Sequence, residues 1–222
     1  WQTVQNWRSC YWHPQLKLIL MIYVDDFKMA GRKENITPMW EKLSKRLDLE
    51  PPTELNGNIY LGMEQKDIPT NEKMVESKRT FFQAILKDNL NKSNRELKSF
   101  AEEKPAKEIQ SFRYVMTGTA EQCVDRYLEL AKIDKTTLKQ VTTPCIDDHQ
   151  LAPEDYEIKG KLDHVAARIV LKALYLARIN RLDILWSVNM LAREVTRWTV
   201  ACDKRLHRLI SYLNCTADYV TV

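Results

Sequence analysis

The sequence predicts an α+β fold in which antiparallel strands occupy the first third of the chain and helices the last third. Residues 18–24 are apolar without a break and rich in branched and aromatic side chains, which favours a strand buried on both faces over a helix. This run ends at the adjacent acids Asp25 and Asp26 and resumes at residues 27–30, the pattern of a β-hairpin. From residue 162 onward, apolar side chains recur at the spacing typical of helices packed on one face.

The composition is that of a globular protein suited to a reducing compartment. The chain has 222 residues, 44% hydrophobic and 29% charged, enough for one large or two small domains with a core. Its five cysteines never form a C-x-x-C pair, which favours an intracellular protein over a secreted one. The longest apolar run, residues 18–24, is far short of the roughly 20 residues that a membrane helix needs, so no membrane partner is expected. Because the sequence opens on Trp1, we expect a piece of a longer protein.

Asp25 and Asp26 are the first candidates for chemistry. Two adjacent carboxylates repel each other and lose hydration wherever water is partly excluded, so a cation is expected beside them. Oxygen ligands of this kind suit a hard divalent ion such as Mg²⁺, held by one or two carboxylates plus substrate phosphates. The alternative is that both acids are ordinary solvated turn residues, as most Asp-Asp pairs are.

Shorter elements flank the hairpin on both sides. Residues 8–12 predict a short strand beside it. Thr37 followed by Pro38 is typical of an N-cap and a first helical residue, so a helix over residues 38–49 should cover the sheet. The proline pair that follows ends that helix. Residues 59–64 then predict another strand.

The middle of the chain is predicted to become helical. After Pro69 an apolar stripe recurs at helical spacing, with basic side chains available for the opposite side. The polar residues 91–110 predict an exposed linker. A capping box at residues 119–122 predicts the start of a helix. The stripe consists of Phe81, Phe82, Ile85, Leu86 and Leu90, and the inward residues of the capped helix are Cys123, Val124, Tyr127, Leu128 and Ala131.

The last third has the clearest helical pattern. Asp183 is predicted to cap the second of its three helices and Thr199 to begin the third. Residues 161–212 contain ten Lys or Arg against four Asp or Glu, an excess of positive charge that is typical of a surface that binds phosphate backbones. The alternative is that these are the ordinary mixed charges of solvated helix faces. The inward residues are Leu162, Val165, Ala166, Ile169, Ala173, Leu176 and Ala177 in the first helix, Leu185, Val188, Ala192 and Val195 in the second, and Cys202, Leu206, Leu209, Ile210 and Leu213 in the third.

The order of these elements resembles the reverse transcriptases of copia-type LTR retrotransposons. Residues 23–26, Tyr-Val-Asp-Asp in an apolar hairpin, are similar to the catalytic YVDD box of that family. Residues 60–64, Tyr-Leu-Gly-Met-Glu, resemble its hydrophobic-Leu-Gly-x-Glu strand. The Thr-Pro step at 143–144 and the helices around residues 181–184 and 206–213 also match. The family usually has Pro where Leu182 stands here, so this turn is less rigid than the family pattern.

The resemblance implies a partial reverse-transcriptase palm, made of antiparallel hairpins and a covering helix, followed by a helical thumb and connection. Residues 1–68 would be the palm, residues 69–144 a thumb-like region with a polar linker, and residues 145–222 a connection region that precedes an RNase H domain. The parent would be a Pol polyprotein found in a cytoplasmic particle or in the nucleus.

The resemblance also implies the chemistry of an RNA-directed DNA polymerase. Asp25 and Asp26 would hold the two Mg²⁺ ions, with Mn²⁺ as an alternative, that drive nucleotidyl transfer. The partners would be an RNA or DNA template-primer duplex, dNTPs and the remainder of the Pol polyprotein. The implied substrate- and primer-binding residues are Tyr23, Val24, Tyr60, Leu61 and Gly62.

Part of the implied active site is absent from the sequence. The family takes another metal-binding carboxylate from a strand upstream of the YVDD box, and none of the 24 residues before Asp25 is acidic. We therefore expect the isolated chain to be inactive as a polymerase. A Lys after the hairpin would protonate pyrophosphate, and no spacing rule separates the candidates Lys33, Lys42 and Lys45.

Two other interpretations stay open. In one, the chain is a non-catalytic retrotransposon remnant that binds nucleic acid or a partner protein through its basic helices. In the other, it is an unrelated helical interaction module that happens to contain an Asp-Asp hairpin. This last interpretation predicts that the hairpin and residues 60–64 do not converge in space.

Overall fold

The computed structural model describes residues 1–90 and 111–222, including the side chains outside residues 86–90. In these residues the chain is an α+β protein with antiparallel sheets and six α-helices, which confirms the predicted fold class. It divides into two compact units, Trp1–Leu61 and Gly62–Val222. The division into three domains that the resemblance implies stays a prediction.

The first unit contains a four-stranded antiparallel sheet. Its elements are β1 Gln2–Thr3, β2 Cys10–His13, β3 Leu18–Tyr23, β4 Asp26–Gly31, α1 Lys33–Ser44 and β5 Ile59–Tyr60. The four strands pair in the order β1-β2-β3-β4, and β2 corresponds to the strand predicted beside the hairpin. Because side chains alternate along a strand, Leu18 and Leu20 point to the same face, where both are buried. This face is the core of the unit. The prediction of a strand buried on both faces is wrong, because Ile19 and Tyr23 on the opposite face are exposed.

Helix α1 begins and ends earlier than the sequence predicts. The predicted span of residues 38–49 with Thr37 as N-cap is wrong, because Pro38 lies inside the helix. A tertiary contact holds the first turn in place: the Asn35 side chain donates a hydrogen bond of 2.9 Å to the Leu16 carbonyl. The helix packs against β4, as expected of a covering helix.

Gly31, the last residue of β4, has a backbone conformation and close neighbours that only glycine tolerates. Its φ is +144°, and a Cβ at this position would lie 2.2 Å from the Lys17 carbonyl oxygen. We expect Gly31→Ala to destabilise the first unit by about 3 kcal/mol, because backbone strain and a clash combine. Gly118→Ala is the control, since its methyl group would meet no atom within 4 Å. Hydrogen exchange of the β3 and β4 amides measures the effect, and unchanged protection in Gly31→Ala would contradict it.

The second unit begins with an antiparallel strand pair that the sequence only partly predicts. β6 Met63–Ile68 pairs with β7 Ser111–Val115. The prediction of one strand over residues 59–64 is wrong, because the chain turns at Leu61 and Gly62, which both have positive φ. β7 has no counterpart among the predicted elements.

Five helices in the described residues complete the second unit. They are α2 Glu72–Leu90, α3 Thr117–Ala131, α4 Ala166–Ile179, α5 Leu185–Arg193 and α6 Val200–Cys215. The inward residues predicted for α3 to α6 all lie in or against one hydrophobic core, which confirms those patterns. The stripe predicted for α2 is instead exposed at Phe81, Phe82 and Ile85. The predicted linker over residues 91–110 lies outside the described residues.

Two predicted helix starts are wrong. α3 begins two residues before the predicted capping box, and the Thr119 hydroxyl donates to the Gly62 carbonyl at 3.3 Å. Asp183 does not cap α5, because both of its carboxylate oxygens accept hydrogen bonds from Arg181. In the first case the competing partner is distant in sequence, and in the second it is a side chain only two residues away. Both compete successfully with the backbone N–H groups of the helix. Thr199 does precede α6, as predicted.

Candidate functional site

The β3–β4 hairpin turns in two residues, Val24 and Asp25. Tyr23 and Asp26 form the closing pair, so Asp25 lies at the tip and Asp26 is the first residue of β4. Val24 has a φ of +56°, a left-handed conformation that costs a β-branched residue about 1–2 kcal/mol. Strain of this kind persists only where the surrounding structure fixes it, and it is common at functional sites.

Strand alternation places the polar hairpin residues on one face of the sheet. Tyr23 lies opposite Asp26, and Lys28 follows two residues later on β4, so all three point the same way. The buried Leu20 points to the other face. Val24 is 84% exposed, and both acids are exposed as well. The carboxylate oxygens are therefore accessible to a ligand or to a large partner.

Lys28 connects this face with one of the predicted primer-binding residues. Its Nζ lies 5.2 Å from the centre of the Tyr60 ring, within the range of a cation–π interaction. Burial lowers the pKa of Lys28 below that of an ordinary lysine. Within the first unit, Tyr60 thus lies beside Lys28 of β4. Whether Asp25 converges with residues 60–64 stays a prediction. Sequence reasoning missed Lys28, although its spacing of two residues from Asp26 was a signal that both share a face.

The other predicted site residues lie further along the chain. Leu61 and Gly62 have φ values of +51° and +74°, and two successive left-handed residues are typical of a tight turn. Their role in holding a primer stays a prediction. The candidate proton donors Lys33, Lys42 and Lys45 are all exposed, on α1 or directly after it.

The donor set at the hairpin fits part of a Mg²⁺ site. Asp25 and Asp26 offer the oxygen ligands that Mg²⁺ prefers, and this ion commonly uses one or two carboxylates together with phosphate and water oxygens. Across the part of the chain that the structure describes, no cluster of three or more His, Cys, Asp or Glu side chains is suited to a metal. A second ion would therefore need a carboxylate supplied from elsewhere.

Four of the ten basic side chains in residues 161–212 form ion pairs with described residues. The engaged side chains pair as Arg181 with Asp183, Arg197 with Glu194, Lys204 with Asp155 and Arg205 with Asp148. Arg168 and Arg178, by contrast, are exposed and form no ion pair with any described residue. The surface available to a phosphate backbone is therefore smaller than the formal charge of this segment predicts.

Comparison with known proteins identifies no relative. A scan against protein families, a search of curated proteins and a search of solved structures each returned no match for this chain. The resemblance to copia-type enzymes therefore depends on the motif residues themselves. None of the helices in residues 1–90 and 111–222 combines the length and apolar character needed to cross a bilayer.

Proposed function

We propose that this chain is part of an RNA-directed DNA polymerase in which Asp25 and Asp26 bind Mg²⁺ for nucleotidyl transfer. The hairpin tip is the observation that supports this most directly: two adjacent carboxylates follow a strand with one buried face and are presented to solvent by a strained two-residue turn. A two-residue hairpin turn requires a positive φ, and valine is a more strained choice there than the usual glycine or asparagine. The motif order described from the sequence supports the same chemistry.

Each hairpin residue has a physical task in this proposal. Bound Mg²⁺ supplies Lewis-acid polarisation of phosphate oxygens. Asp25 at the tip and Asp26 at the start of β4 supply the carboxylate oxygens that hold it. Tyr23, on the same face as Asp26, contacts the primer or the incoming nucleotide. Lys28 places a positive charge on that face, where it attracts phosphate.

The proposal requires components that this chain lacks. The substrates are a template-primer duplex and dNTPs, and the remainder of a Pol polyprotein contributes at least one further carboxylate, because none of the 24 residues before Asp25 is acidic. A two-metal site needs several anionic oxygens to hold both ions. The 222-residue chain alone is therefore expected to bind metal weakly and not to extend a primer.

A paramagnetic titration of the isolated chain tests the metal site. We expect Mn²⁺ to broaden the backbone amide signals of residues 24–26 selectively, and Asp25→Asn to remove the effect. The adjacent acids Asp147 and Asp148 provide an internal control, because Asp148 is engaged by Arg205 at 2.7 Å. Equal broadening at both acid pairs would contradict a specific site. Primer extension by the isolated chain would contradict the need for another carboxylate.

A non-catalytic role as an interaction module is the second candidate function. The exposed apolar side chains Leu171 and Ile179 on α4 favour it, because a helix that is apolar on two sides is typical of one with a partner on each side. The two candidates differ in metal dependence. Only the polymerase function requires selective metal binding at the hairpin.

A further inference from the structure

Helix α4 is apolar on two opposite sides. One side, with Ile169, Ala173 and Leu176, is buried in the core of the second unit. The other side exposes Leu171 and Ile179 to solvent. A surface helix normally has one apolar face and one polar face, and a helix that is apolar all round is normally buried. The outer side of α4 is therefore suited to contact with another molecule.

Exposed apolar side chains line the outer side of α4 and the turn that follows it. We call them the outer stripe: Leu171, Tyr175 and Ile179 on α4, Leu182 in the turn and Trp186 on α5, which are 57%, 40%, 44%, 66% and 66% exposed. Single exposed apolar residues are common on protein surfaces and need no explanation. The three on α4 recur every four residues, which is the spacing of a helix face that contacts a second helix.

The charged side chains beside the outer stripe are positive. Residues 164–182 contain no Asp or Glu. Arg168 and Arg178 are exposed there and form no ion pair with any residue that the structure describes. Cations left unpaired beside an apolar surface favour a partner with carboxylates at its edges. Two copies of this chain joined through the stripe would instead bring four arginines together, which disfavours self-association.

A cavity adjoins the far end of the outer stripe. It has a volume of about 140 Å³. Its walls are apolar at Ile146, Trp186, Met190 and Leu191 and polar where the ion pair of Asp148 and Arg205 lines it. A cavity of this size is large enough for a benzene-sized group. Interfaces between proteins often depend on one large apolar or aromatic side chain that fills such a pocket. The cavity is therefore suited to an anchor residue of a bound peptide.

We propose that the outer stripe and its cavity bind an amphipathic helix of a partner protein, with an apolar anchor in the cavity and acidic residues facing Arg168 and Arg178. Single-stranded nucleic acid fits less well, because bases stack on aromatic rings, whereas Leu171, Ile179 and Leu182 are aliphatic. The inference does not depend on the polymerase proposal, since it uses no residue of the hairpin.

A peptide-binding experiment tests this interface. The probe is a fluorescent 21-residue helical peptide with Leu at intervals of three and four residues, one central Phe and Glu on its flanks. We expect fluorescence anisotropy to detect binding that weakens with salt. The double variant Leu171→Glu/Ile179→Glu should lower the affinity by about tenfold or more, and Trp186→Ala by a similar factor.

The controls distinguish this partner from other occupants. Leu47→Glu alters an exposed apolar residue outside the stripe and should leave the affinity unchanged. The same peptide with Lys in place of Glu should bind at least about tenfold more weakly. Circular dichroism verifies that each variant is folded. The proposal is overturned if the acidic peptide does not bind, if both peptides bind equally, if the double variant binds as well as the wild type, or if oligothymidine competes for the site.

Discussion

Asp25→Asn in the full-length parent protein is expected to abolish DNA synthesis while the hairpin stays folded. Asn keeps the size and hydrogen-bonding capacity of Asp and is equally compatible with a turn, but it removes the negative charge that holds a divalent cation. Loss of that charge should lower the rate of primer extension by about 10³-fold or more, equivalent to about 4 kcal/mol of transition-state stabilisation. By the family resemblance, Asp26→Asn should have a smaller effect.

Primer extension with an RNA template, compared between the parent and the variant, measures this loss. Asp147→Asn is the matched control, because it neutralises one acid of the other adjacent pair in the chain, where the Asp147 carboxylate accepts a hydrogen bond from the His149 backbone N–H. Hydrogen exchange of the β3 and β4 amides verifies the fold. Retained synthesis in a folded Asp25→Asn protein would end the catalytic assignment.

The second large effect is expected at Arg181, whose side chain is only 3% exposed. Its guanidinium donates to both oxygens of Asp183, at 2.9 and 2.7 Å, and to the carbonyl and hydroxyl oxygens of Thr216, at 2.6 and 2.8 Å. The rings of Tyr212 and Tyr219 lie 5.8 and 5.2 Å from its central carbon. One buried cation therefore joins the start of α5 to the end of α6.

Arg181→Ala is expected to lower the free energy of unfolding of the second unit by about 3 kcal/mol, because it leaves the Thr216 carbonyl without its donor and Asp183 with the Tyr212 hydroxyl alone. Urea unfolding followed by circular dichroism at 222 nm reports on the helices of this unit. Arg197→Ala is the matched control, since Arg197 is 75% exposed and its ion pair with Glu194 lies in solvent. Equal midpoints for the two variants would contradict the structural role of Arg181.

The loss of stability in Arg181→Ala should also depend on pH. Burial raises the pKa of Asp183, but the hydrogen bonds and charge of Arg181 and the Tyr212 hydroxyl outweigh it and hold that pKa below its ordinary value. A depressed folded-state pKa adds stability above the unfolded pKa of about 3.9, and that stability is lost as the pH falls through the folded value. The difference between wild type and Arg181→Ala should therefore be larger at pH 7 than at pH 3.

Periodicity along the sequence predicts the interior of this protein better than its element boundaries. The inward residues of α3 to α6 follow from the recurrence of apolar side chains, since burial of one face is what stabilises a helix in a folded protein. The start of α1 does not follow from local signals. It depends on the bond from Asn35 to the Leu16 carbonyl, which joins residues 19 positions apart. Likewise, Asp183 has the sequence signature of a cap, but a nearby buried arginine binds it instead.

The candidate site shows the same division between local and distant information. The hairpin with Asp25 and Asp26 is predicted because it depends on a continuous run of residues. The position of Lys28 over the Tyr60 ring is not predicted, because the two residues lie 32 positions apart and no local pattern fixes their approach. Residues that meet through the fold of a whole unit are visible only once that fold is known.

The alternation of charged and apolar side chains along β4 also protects the correct pairing of the hairpin. If β4 slipped by one residue against β3, Asp26 and Lys28 would turn toward the face where Leu18 and Leu20 are packed, and Phe27 and Met29 would turn toward solvent. Two charges would then be buried without partners, at a high cost in free energy. Asp26, one of the two acids that make this hairpin a candidate for catalysis, therefore also helps Lys28 to exclude its nearest misfolded alternative.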